Sequence, residues 1–263
     1  MLGTLIMPGR DPLAVLSRFA RDYGDITAFR MWNERAVFIN HPDLIRQVLV
    51  TDHANFTKSR ALERARRLLG DGLLTSEGAA HQRKRRLVQP AFHRSRIAAY
   101  ADTMVVHADR LAAGWADGSR IDVSKEMMRL TLGIVARTLF DVDIHSKADA
   151  VGRAITEVLE SFWLALLPFS EVVEALPLRT LRRSHAARAE LDALILDMVA
   201  ARRRDGGTGA DVLSMLVAPE EDGGPGLSDA EVRDEAMTLL LAGHETTANA
   251  LTWTWYLLSQ SPQ

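Results

Sequence analysis

The chain has 263 residues, of which 47% are hydrophobic and 25% charged, with a formal net charge of −2. That length suits one large domain or two ordinary ones and supports a sizeable core, and the near-neutral charge argues against a nucleic-acid binder acting through bulk electrostatics. Cysteine is absent, which excludes disulfides, thiolate-held zinc, iron–sulfur clusters and a cysteine nucleophile for these residues.

The opening MLGTLIMPGR has neither the basic start nor the apolar length of a secretory signal. Asp11–Pro12 predicts an N-cap with proline at the first helical position, opening a helix that Gly24 stops near Tyr23. ITAFRMW and RAVFIN, joined through Asn33–Glu34, predict a β-hairpin, and His41–Pro42 opens a second helix. From Ser59 onward the pattern is helical. SRALERARRLL leads into the glycine-rich bend GDGLLTSEG and then a basic helix, AAHQRKRRLVQ, ended by Pro90. Amphipathic segments follow at about 95–115, 124–141, 147–166 and 180–204, with polar glycine-rich loops at 202–211 and 219–229. FWLALLPF (162–169) is cut by Pro168, so no apolar run reaches a membrane span. A cytoplasmic, mainly α protein with no membrane span is the expectation.

The last helix has an unusual centre. Ser228 with Glu231 predicts a capping box, and Asp229 adds favourable charge in the first turn. From Val232 to Leu258 the pattern is apolar on more than one face, yet it carries Gly243, Glu245, Thr246 and Thr247. Ala242 and Thr246 share a face at i, i+4, which makes a small notch edged by a hydroxyl and a carboxylate. Ordinary helix chemistry accounts for the same residues equally well: Thr246 bonding the carbonyl one turn back, Glu245 meeting an ion-pair partner, Gly243 easing helix packing. His244–Glu245 does not begin a zinc-hydrolase HExxH, because Ala248 stands where the second histidine belongs.

In the basic helix, His81 and Arg85 are one turn apart on one face, while Arg83 and Lys84 point elsewhere. A histidine with the planar fork of an arginine suits a fixed carboxylate or phosphate. A solvated basic face is the commoner use of such a run.

Taken together, AGHETT (242–247), HQRKR (81–85) and QPAF (89–92) resemble the cytochromes P-450, whose motifs are A/G-G-x-D/E-T-T/S and W/H-x-x-x-R. FTKS, GDGLLTS and the order of helix, hairpin and helix near the start follow the same family. The resemblance implies a mainly α cytochrome P-450 fold, incomplete, with a small N-terminal β-hairpin. It also implies a haem-thiolate monooxygenase that uses O2 to hydroxylate a hydrophobic small molecule. Electrons would come from NAD(P)H through a separate redox partner. Thr246 would hydrogen-bond the reacting oxygen or its attendant water, and Glu245 would feed protons inward. Ala242 and Gly243 would lie over the haem face, and His81 and Arg85 would hold its propionates with Lys58 as a weaker candidate. Leu73 and Leu74 would line the substrate side, with ordinary core packing as the alternative. Leu74, Phe162 and Trp163 indicate no more than a greasy pocket.

The family's E-x-x-R motif and cysteine loop are not among these residues, so no thiolate ligand is present. The expectation is that residues 1–263 form the N-terminal, distal part of a single cytochrome P-450 domain, with the cysteine-bearing proximal part absent and the isolated chain inactive. The alternative is a non-catalytic P-450-like remnant or a helical binding protein.

Overall fold

The computed structural model describes residues 11–31, 34–144, 147–165, 178–207, 209, 211–219 and 226–261. The chain divides into two compact units, Met1–Thr57 and Lys58–Gln263.

In the first unit, Asp11 caps helix α1 (Pro12–Tyr23) by accepting the Leu13 N–H at 2.9 Å, and Gly24 ends it at φ +78°. Strands β1 (Ile26–Met31) and β2 (Glu34–Ile39) pair antiparallel, with Ile26 opposite Ile39 and Phe29 opposite Ala36. Phe19 of α1 lies against Phe29 and Phe38 at 5.3 and 6.3 Å between ring centroids, so an aromatic cluster ties helix to hairpin. Helix α2 (Pro42–Arg46) continues into a π-helical turn at Gln47–Thr51, which the apolar spacing does not reveal.

The second unit is helical throughout its described residues: α3 (Arg60–Leu69), α4 (Gly78–Val88), α5 (Arg94–Ala113), α6 (Val123–Phe140), α7 (Ala148–Ala165), α8 (Arg179–Arg204), α9 (Val212–Val217) and α10 (Asp229–Ser259). The predicted amphipathic segments match these helices within one or two residues. Helix α9 is the exception: six consecutive apolar or small residues carry no period, and all except Met215 are buried. The core gathers Leu132, Val135, Leu139 and Phe140 of α6 with Ile155, Leu191, Ile195, Leu213, Leu216, Val232 and Met237.

Helix α10, about 46 Å long at 1.5 Å per residue, runs against α6 and α8. The expected capping box starts it: Glu231 N–H donates to Ser228 Oγ, and Ser228 N–H donates to Glu231 Oε2 at 2.9 Å. Val232–Leu241 is buried except for Asp234, whereas Trp253–Ser259 is exposed. Arg233 pins α10 to α8 through Asp192 at 2.5 Å. Among the described residues no helix is long and apolar enough to cross a membrane.

Candidate functional site

One stripe of α10 organises the site. At 100° per residue, Glu235, Ala242 and Thr246 fall within roughly 40° of one another, and about 16 Å separates the first from the last along the axis. The start of the stripe is covered by the 70–76 turn between α3 and α4. Asp71 N–H donates to Asp234 Oδ2 at 2.6 Å and Leu73 N–H to Glu235 Oε2 at 3.0 Å. A Cβ on Gly70, which has φ +80°, would overlap the Asp234 carboxylate, and one on Gly72 would overlap the Thr238 hydroxyl. Only glycine lets the turn approach this closely. Farther along, Ala242 and Thr246 are exposed and the stripe is open.

The turn also carries the basic residues. Lys58 Nζ donates to the carbonyls of Leu73 (3.0 Å) and Ser76 (2.6 Å) and stands 3.5 Å from His81 Nδ1. His81 Nδ1 lies 3.1 Å from the Leu73 carbonyl, so a proton on that nitrogen is donated there and Nε2 remains for another group. Burial holds the Lys58 ammonium below the usual lysine range, opposed by Glu77. Lys58 therefore braces the turn. Arg85 is exposed and makes no hydrogen bond or ion pair among the described residues. Lys84 points the other way, as expected: it is buried, with its ammonium donating to the Asp71 carbonyl and 3.4 Å from Asp71 Oδ2. Arg83 faces Glu231 at 3.4 Å.

On α10 the predicted residues separate. Thr246 Oγ donates to the Ala242 carbonyl at 2.8 Å, which commits the hydroxyl proton and leaves the oxygen lone pairs facing outward. Thr247, Thr252 and Thr254 make the same bond one turn back, so that bond alone does not mark a site. Glu245 is half-buried, and burial raises its carboxyl above the usual range. Gly243 faces α6, where a Cβ would sit 3.1 Å from Val135 Cγ2; its lack of a side chain eases helix packing. His244 turns into the core at 2% exposure, and desolvation depresses its pKa. Leu73 is half-buried and Leu74 exposed, both on the covered edge of the stripe. Phe162 packs half-buried against the core, while the side chain of Trp163 lies outside the described residues.

Glu235 was not legible as a site residue. It is fully buried, and desolvation pushes its carboxyl up to about 7, opposed by the Leu73 N–H and by Lys84. Its spacing of seven and eleven residues from Ala242 and Thr246 was the available signal. Elsewhere, a cleft of about 960 Å³ between α5, α6 and the start of α7 is lined by charged groups including Arg110, Glu126, Arg129 and Asp149, and by none of the predicted residues.

A family model described as Cytochrome P-450 matches residues 1–263. The chain belongs to the cytochrome P-450 family. It is 39% identical over its whole length to cyclooctatin synthase of Streptomyces melanosporofaciens, covering 58% of that protein. It is 34% identical to pentalenene oxygenase of Streptomyces avermitilis, with 97% of this chain and 56% of that protein covered. The crystal structure of the cytochrome P-450DA heme domain superposes with a TM-score of 0.81 at 27% identity, over 98% of this chain and 58% of that one. The fold is therefore an incomplete P-450 fold, mainly α with one small hairpin, and the chain spans somewhat under three fifths of the relatives it matches.

The residues fit haem on the chemistry they offer. An exposed strip holding the small Ala242 suits a planar ring, and Arg85 and His81 Nε2, without a bond among the described residues, suit a pair of carboxylates. No cysteine is present to supply a thiolate.

Proposed function

We propose that these residues form the oxygen-facing wall of a haem-thiolate monooxygenase that hydroxylates a hydrophobic small molecule. Haem, when bound, supplies the redox centre at which O2 is activated, with electrons from NAD(P)H through a separate redox protein. His81 and Arg85 hold the two carboxylates of that group, and Lys58 keeps His81 and the turn in place. The small, exposed Ala242 would leave room for a planar group. Thr246 offers a fixed hydroxyl oxygen that accepts a hydrogen bond from a water or a reacting hydroxyl. Burial raises the Glu245 carboxyl above the usual carboxylate range, which suits a group that hands protons inward from solvent. Leu73 and Leu74 bound the apolar side on which substrate rests.

The observation that carries this reading is the change along one stripe of α10, from covered at Glu235 to open at Ala242 and Thr246. Relatives named for oxygenating cyclooctat-9-en-7-ol and pentalenene support a hydrophobic substrate. These residues offer no cysteine to act as a thiolate ligand, and the chain alone is inactive in this reading. The alternative, a non-catalytic helical binding protein, predicts no preference for a carboxylate-edged ring.

Tryptophan quenching by iron protoporphyrin IX and by its dimethyl ester tests the assignment. The free acid is expected to bind the chain more tightly than the ester, and R85Q with H81A to abolish the difference. Equal affinity for acid and ester would remove the carboxylate role. The reduced complex under carbon monoxide should lack a thiolate-type Soret band, and its appearance would overturn the ligand assignment.

A further inference from the structure

Glu235 is held from several directions. Its Oε2 accepts Leu73 N–H, while its buried Oε1 has no hydrogen bond and lies 3.8 Å from Lys84 Nζ. Lys84 comes from α4 at 3% exposure and is bound to Asp71 of the turn. Asp71 also pairs with Arg66 Nε of α3 at 3.1 Å, and Asp234, the neighbour of Glu235 on α10, takes Asp71 N–H and Arg233. Lys58 contributes a further charge from behind the turn. Beneath the turn the hydroxyls of Ser76 and Thr238 are also buried without partners. With Glu235 Oε1 and Asp71 Oδ1 that makes four buried oxygens without a hydrogen bond on the turn and the facing stretch of α10, where buried polar atoms are normally bonded.

We propose that Glu235, with Lys84, is a proton-controlled latch that holds the 70–76 turn on α10 and so positions Leu73 and His81, and that loss of its proton releases the turn. A protonated Glu235 keeps an oxygen for Leu73 N–H and brings no charge into the buried site. An ionised Glu235 is a buried charge whose counter-ion stands beyond hydrogen-bond range. Water entry then relieves its desolvation, which requires the turn to lift. Linkage fixes the direction: burial raises the carboxyl in the closed state, so the closed state binds the proton more tightly and ionisation favours opening. The glycines at 70 and 72 let the turn seat so closely that a side chain at either would overlap α10. Glu235 is thus a positioning residue, acting on the candidate site through Leu73, whose carbonyl holds Lys58 and His81. The consequence for a cofactor rests on the function proposed above; the latch does not.

Amide hydrogen exchange on the 263-residue chain, followed at Leu73 across neutral pH, tests it without any cofactor. Between about pH 4.5 and about pH 7, protection at Leu73 is expected to fall by about tenfold per pH unit beyond ordinary base catalysis, while the core of α10 around Met237 stays protected. In E235Q, a neutral carbonyl acceptor of the same shape, Leu73 protection persists and its extra pH dependence disappears. In E235A protection is lost at every pH. A Leu73 profile in E235Q that matches the parent's would overturn the proposal, as would equal loss of protection along all of α10. Should E235A fail to fold, carboxyl-carbon NMR of the parent decides. A Glu235 midpoint near 7, tracked by the Leu73 amide shift, supports the latch, and a midpoint near that of a free glutamate rejects it.

Discussion

Thr246 shows how little a side chain's own bonds reveal of its use. Its hydroxyl bonds only backbone and is exposed, so T246A should change stability by no more than about 0.5 kcal/mol by urea unfolding. In protein that includes the thiolate-bearing segment, the same substitution should lower product formed per NAD(P)H and raise peroxide; an unchanged ratio would end the role assigned to Thr246. Glu235 behaves in the opposite manner, with its effect appearing in stability. Its folded pKa of about 7 exceeds the unfolded 4.5, so its contribution is fully present below the unfolded value and lost as pH rises through 7. His244 opposes it: a depressed folded pKa adds stability above the unfolded value of 6.5 and loses it as pH falls. The difference in urea midpoint between parent and E235Q isolates the acid, and E235Q should gain relative to the parent between about pH 4.5 and about pH 7 and level off above that.

Among the elements, the 70–76 turn depends on the least chemistry. A methyl at Gly72 meets the Thr238 hydroxyl and the Asp234 backbone, so G72A should destabilise by about 1–3 kcal/mol and expose the Leu73 amide first, as read by hydrogen exchange. S228A removes one half of a capping box and should cost about 1 kcal/mol by thermal or urea unfolding. The cap was legible because Ser and Glu three apart before an apolar run have few other uses. That Lys84 points away from the exposed Arg85 was legible from helical spacing in the same way. The contacts of Lys58 were not, because they depend on the two turn carbonyls that lie opposite it, and for Gly243 the spacing offered close helix packing as one of two readings without naming Val135 as the neighbour. Helix α9 left no signal because a six-residue segment buried on all sides has no polar face to set a period.

Across the whole chain, apolar surface is unevenly covered. Helix α5 has no buried residue among those described, and Ile97, Met104, Val105 and Val106 are exposed along it. The last turns of α10 add Trp253, Trp255, Tyr256, Leu257 and Leu258, with Trp255 edge-on to Trp115 at 6.0 Å. Patches of this kind favour association. The 263-residue chain should therefore sediment as a concentration-dependent mixture, and W253S with L257S, one turn apart, should shift it toward monomer. No change in sedimentation would show that this face is not sticky in solution.

The scarcity of lysine gives the site a built-in chemical reporter. Lysine occurs only at 58, 84, 125 and 147, and the first two are committed to the turn while Lys125 and Lys147 are exposed. An amine-acylating reagent should accordingly modify the native chain at two side chains quickly and at the other two slowly. Mass spectrometry of the slow pair then reads, residue by residue, whether a given solvent, ligand or substitution has lifted the turn from its helix.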